Sequence, residues 1–133
     1  MSTRAVYTFI DVRGTFHVYK HCDGYPEGAV GFIKAAFEIG SPKASNLAVS
    51  FIIANTKPDN QYSWSELTSH YDEHVDLEYR YEIMKDEDEM FSDFEKESFI
   101  VSAFKRVSSF RDDPAYQLIF SGSLDEFEKV AKK

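Results

Sequence analysis

Tyr19-Lys20-His21-Cys22-Asp23-Gly24-Tyr25-Pro26-Glu27-Gly28 is the stretch on which the fold of this chain turns. A strand pattern runs into it and a helix pattern runs out of it. Upstream, Thr15 to His21 alternates, so Phe16 and Val18 face one side and His17, Tyr19 and His21 the other. Downstream, Ala29, Phe32, Ile33, Ala36 and Phe37 recur at helical spacing and define an apolar face. Pro26 suits the first turn of that helix, where its missing N–H does no harm. Asp23 or Gly24 is expected to cap it, and Gly24 is expected to be needed for backbone shape.

Working outward, Ala5 to Ile10 reads as a strand, and Asp11-Val12-Arg13-Gly14 supplies turn chemistry, so a β-hairpin precedes the junction. After the first helix, Ser41-Pro42 opens a second, whose face is Leu47, Ala48, Phe51, Ile52 and Asn55. Residues 62–70, with the single tryptophan Trp64, form a short element of ambiguous type. Leu77 to Met84 reads as a strand with Leu77, Tyr79, Tyr81 and Ile83 on one side. Glu97 to Val107 and Tyr116 to Phe120 are further strands. Ser123-Leu124-Asp125-Glu126 is a capping box that opens a last helix, which Phe127 and Val130 are expected to fasten to the core. The order β-β-α-α-β-β-β-α, apart from the ambiguous element, predicts one α+β domain over residues 1–133. Its hairpin-type connections imply an antiparallel sheet with the helices mainly on one face.

At 133 residues the chain is long enough to bury a real core, and its 16% of aromatic residues argues against disorder. Asp and Glu number 23 against 15 Lys and Arg, a net charge of −8. Such a balance repels phosphate and excludes ordinary backbone-tracking nucleic-acid binding. It suits a basic protein surface instead. The lone cysteine, Cys22, forms no internal disulfide. No apolar run approaches the roughly 20 residues of a membrane span. Met1-Ser2-Thr3-Arg4 lacks the plan of a secretion signal, so a cytoplasmic location is expected.

Ser2-Thr3-Arg4, the hairpin with its D-x-x-G turn, and His21-x-Asp23-Gly24-Tyr25-Pro26 together resemble a group of small proteins encoded by bacteriophages and prophages. That group has a "(G/S)TR" start and a "Y-x-H-x-DGYP" motif. Asp76 to Ile83 is similar to its "D-x-EY-x-YE" strand, and Phe120 to Phe127 to its "F-x-G-T-L-x-E-F" tail. The resemblance implies a phage-linked cytoplasmic accessory protein. It supplies no chemistry, and no functional residue is carried over from it.

Four constellations carry possible chemistry. His21 and Asp23, with His70, Asp72 and His74, are of metal-ligand type, although no metal motif of known spacing is present and no cofactor is expected. Cys22 beside His21 has the residue types of a nucleophile and base, but adjacent strand residues point apart. His17, Tyr19, His21, Asp23 and Tyr25 are candidates to line a small-molecule or anion pocket at the junction, with Lys20 and Arg80 adding positive charge. Asp86, Glu87, Asp88, Glu89, Asp93, Glu95 and Glu97, interleaved with Met90, Phe91 and Phe94, suit docking of a basic host or phage protein. The expectation is therefore a non-enzymatic accessory protein that works by binding. A host defence or nucleic-acid-handling protein would be a fitting target. The alternative is a small hydrolase or a ligand- or metal-binding domain centred on His21, Asp23 and Tyr25.

Overall fold

The structure, a computed structural model, describes residues 3–11, 14–39, 44–57, 59, 65–69, 77–85, 99–107 and 115–132. Strands β1 (Ala5–Asp11) and β2 (Gly14–Lys20) form the expected hairpin, in a register that sets Ala5 opposite Lys20 and Ile10 opposite Thr15. The Asp11 carboxylate accepts a hydrogen bond from the Gly14 N–H at 3.2 Å, which closes the turn. Helices α1 (Pro26–Ile39) and α2 (Ala44–Ala54) follow. Then come β3 (Ser65–Thr68), β4 (Tyr79–Lys85), β5 (Phe99–Arg106), β6 (Tyr116–Gly122) and α3 (Leu124–Ala131). The ambiguous stretch thus contains the short strand β3, whereas Trp64 lies outside the described residues.

The described strands make one six-stranded sheet in the order β3-β2-β1-β4-β5-β6. The sheet is mixed and not antiparallel throughout: β4 runs parallel to β1, with Ala5 opposite Tyr79. The parallel pairing starts at the backbone of the first described residues. The Arg4 carbonyl accepts from the N–H groups of Glu78 and Tyr79 at 3.0 and 3.3 Å, so β4 begins level with β1 and on its free side. Since β3 pairs on the far side of β2, the link from β3 to β4 is not a hairpin, and hairpin logic fails there. The other pairings are antiparallel.

One sheet face meets the helices. Tyr7, Phe9, Val18, Tyr81, Ile83, Phe99 and Val101 pack there against Ile33 and Phe37 of α1, Leu47 and Phe51 of α2, and Leu124 and Phe127 of α3. The helical faces are those expected from spacing, with Phe32 and Ile52 partly buried. Two expectations are corrected. Leu77 belongs with Val6 and Tyr19 in a second cluster on the other face, because it precedes β4 and escapes its alternation. Val130 is 51% exposed, and Leu124 fastens α3 in its place. The Ser123–Glu126 capping box is formed as expected.

In β6 the register slips between Phe104, opposite Leu118, and Ala103, opposite Phe120. Ile119 is the extra residue of this bulge. Without it, Leu118 and Phe120 would share a face. With it, Leu118 joins the helix-free side while Phe120 reaches Phe127, ring centroids 5.1 Å apart.

Candidate functional site

The junction is built by close backbone approach. Asp23 adopts φ 56°, a left-handed conformation uncommon for a residue with a side chain. Gly24 donates its N–H to the Thr3 carbonyl at 2.9 Å. A Cβ at Gly24 would meet Ala5 Cβ at 2.7 Å and Thr3 O at 2.9 Å, and one at Gly28 would collide with the Asp23 carbonyl. The need for glycine at position 24 is therefore one of space, not of positive φ. Neither Asp23 nor Gly24 takes the first helical bond of α1; the Tyr25 carbonyl accepts it from Ala29 at 2.9 Å.

The five ligand candidates do not converge. On the helix-free face, Tyr19 Oη and His21 Nδ1 lie 3.0 Å apart. Arg4 Nε donates to the same His21 nitrogen at 3.4 Å, which makes Nδ1 an acceptor and places the ring proton on Nε2. His17 stands in the next row, its Nδ1 2.9 Å from Thr8 Oγ1. The Asp23 side chain is exposed. Tyr25, 42% exposed, turns the other way into an open groove of about 300 Å³ shared with Pro26, Ile119, Phe127 and Val130. Lys20 and Arg80 also part company. Lys20 follows the parity of Phe16 and Val18 into the core, while Arg80 lies on the helix-free face between the rings of Phe104 and Tyr116, at 5.3 and 5.2 Å.

Lys20 belongs to a buried polar set that the reading of the sequence did not assemble. It is 1% exposed, donates to the Asn55 carbonyl at 3.1 Å and stands 4.7 Å over the Phe32 ring. Burial pushes its pKa down, while Cys22 and Asp23 nearby hold it up. Asn55 in turn donates to the Phe32 and Phe51 carbonyls at 3.1 and 2.9 Å, tying α1 to α2. The Tyr81 hydroxyl donates to the Gly24 carbonyl at 2.6 Å. The Tyr7 hydroxyl is fully buried and has no hydrogen-bond partner. Burial first, then the Cys22 and Asp23 charges, raises its pKa well above the usual phenol value. Burial also raises the pKa of the Cys22 thiol, the reverse of what a nucleophile needs. The strand parity of Lys20 was the available signal for this set.

Among the described residues, no group of three His, Cys, Asp or Glu side chains is placed to hold a metal ion. His70, Asp72 and His74 lie outside the described residues, as do Asp86, Glu87, Asp88, Glu89, Met90, Phe91 and Phe94. Also among the described residues, no helix is long and apolar enough to cross a membrane. No family model, curated protein or solved structure matches the chain.

Proposed function

We propose that this protein is a non-enzymatic accessory protein that acts by binding a basic partner protein. The observation that carries the reading is the net charge of −8 on a chain of 133 residues. Charge of one sign on this scale raises the encounter rate with a basic surface and destabilises the isolated fold by self-repulsion, which such a partner relieves. The junction supports the same reading from the other side. Its distinctive residues hold β1, β2 and α1 together, and its polar side chains are spread over two faces of the sheet. The resemblance to small phage and prophage proteins favours a phage-linked setting, in which the basic partner is a host or phage protein.

The contact is assigned to the acidic run from Asp86 to Glu97, with Met90, Phe91 and Phe94 supplying the short-range energy. The test is a pull-down from host lysate at low and raised salt. Wild-type protein should recover a basic partner whose binding weakens as salt rises, because the Debye length falls below about 10 Å beyond 0.1 M. Reversing Glu87 and Glu89 to Lys should slow association and leave the melting temperature unchanged. Recovery of the same partners with the same salt dependence by the reversed protein would refute the reading.

A further inference from the structure

β6 closes the sheet on the side away from β3. Its run Tyr116-Gln117-Leu118-Ile119-Phe120-Ser121-Gly122 carries no charge. Edge strands are ordinarily guarded by charged side chains, since an open edge is a template for another strand. The Val107 N–H bonds the Ala115 carbonyl at 2.9 Å, so by antiparallel alternation Leu118 turns its own N–H and carbonyl away from β5. Leu118 is 52% exposed and Ile119 44%. Among the described residues, none outside β5 bonds either of them. The bulge sets Ile119 out beside Tyr25 and Val130, in the open groove between α1, α3 and β6. Above this edge runs α3, packed on both β5 and β6. Its Glu128 reaches Lys34 of α1. Glu126 and Val130 lie two residues to either side of Glu128, about 200° around the helix, so both face away from α1 and toward the open edge.

We propose that this edge is a self-association surface, on which a second copy of the chain pairs its β6 antiparallel to β6 about a two-fold axis perpendicular to the sheet and close to Leu118. The spacing suits both layers at once. Neighbouring strands lie about 4.8 Å apart. Because α3 sits over β5 and β6, the two copies of α3 come to stand about 10 Å apart, the distance at which helices pack. Only the two β6 strands run beneath the seam between them. Val130 and Ile119 of each copy then face the other copy. Charge chooses the occupant. α3 has Asp125 and Glu126 in its first turn and Lys129 in its last. The axis sets the two helices antiparallel, so the acidic end of each lies toward the basic end of the other, and their dipoles oppose. A strand without charge is also where two chains of −8 meet with least repulsion. A basic partner finds no carboxylate on β6 and meets Lys129 above it.

Sedimentation velocity and light scattering on the full chain, across a wide concentration range, test this directly. The expected result is a reversible dimer. The assay contains no other protein, so its outcome is independent of the docking of a basic partner. Ile119→Glu and Val130→Glu should each weaken the dimer by about tenfold or more, because each brings an unpaired carboxylate into the seam. The melting temperature of the dilute monomer should stay unchanged in both, since both side chains are exposed. Leu118→Pro removes the outward N–H and leaves the bonds to β5 in place, so it should weaken the dimer likewise. Leu67→Glu, at the opposite edge of the sheet, should leave the dimer intact. A chain that stays monomeric at every concentration overturns the proposal. A dimer indifferent to both Ile119→Glu and Val130→Glu, or one broken by Leu67→Glu instead, overturns it equally.

Discussion

Tyr7 and Tyr81 stack with ring centroids 5.2 Å apart, yet their hydroxyls differ in what they contribute. The Tyr81 hydroxyl holds the junction through the Gly24 carbonyl, and the Tyr7 hydroxyl is buried without a partner. A buried hydroxyl with no bond costs stability, while a bonded one contributes about 1 kcal/mol. Tyr81→Phe should therefore lower the unfolding free energy by about 1–2 kcal/mol, whereas Tyr7→Phe should be neutral or stabilising. Paired urea denaturation curves decide, and a marked loss in Tyr7→Phe would mean that its hydroxyl is bonded. Gly24→Val tests the close approach beside them. Its Cβ has no room against Ala5 and the Thr3 carbonyl, so a loss of about 1–3 kcal/mol or more is expected. An unchanged melting temperature would show that the first residues simply move aside. The need for glycine was legible in the sequence, but its cause was not, because the atoms that crowd it come from Thr3 and Ala5, far earlier in the chain.

At the level of elements, α3 is joined to α1 by charge as well as by Leu124 and Phe127. Glu128 receives Lys34 at 2.9 Å and Lys132 at 3.0 Å. Those two hydrogen-bonded ammonium groups pull its pKa down to about 2. A depressed carboxylate contributes stability that is complete above its unfolded value of about 4.3 and is lost as pH falls towards the folded one. The melting temperature should thus fall between roughly pH 4.5 and 2, and the fall should shrink when Lys34 and Lys132 are both changed to Gln. An identical acid profile in the double variant would mean that the pairs are screened surface contacts. Ser123→Ala should cost about 1 kcal/mol through the lost cap, as read from α3 amide exchange. The capping box, the hairpin and the faces of α1 and α2 were legible because each rests on local spacing. The bulge at Ile119 was not, since Tyr116 to Phe120 alternates as well without it. Lys20 shows a signal present and misread: its parity with Val18 pointed inward, but its charge suggested solvent.

Across the whole molecule, sequence order and spatial order disagree. β1 is first in the chain but third in the sheet, flanked by β2 and by the distant β4. Nothing in the side chains of either strand announces their parallel pairing. Main-chain bonds to the Arg4 carbonyl mark where that pairing starts, and main-chain groups are the same in every residue. Amides of β1 and β4 should exchange most slowly, and those of the short edge strand β3 faster, in native-state hydrogen exchange.

The place of β1 also sets a timetable on the ribosome. It emerges with its hairpin partner almost at once, but β2, both following helices and β3 must all be made before β4 exists. Through that interval the nascent chain holds Tyr7 and Phe9 beside an unfilled strand position, which is a template for any extended segment nearby. The hairpin with α1 and α2 covers one face early, so the hazard is confined to a single lateral slot. Translation speed between the codons of Lys20 and Tyr79 should therefore govern the yield of folded protein more than speed anywhere later in the message.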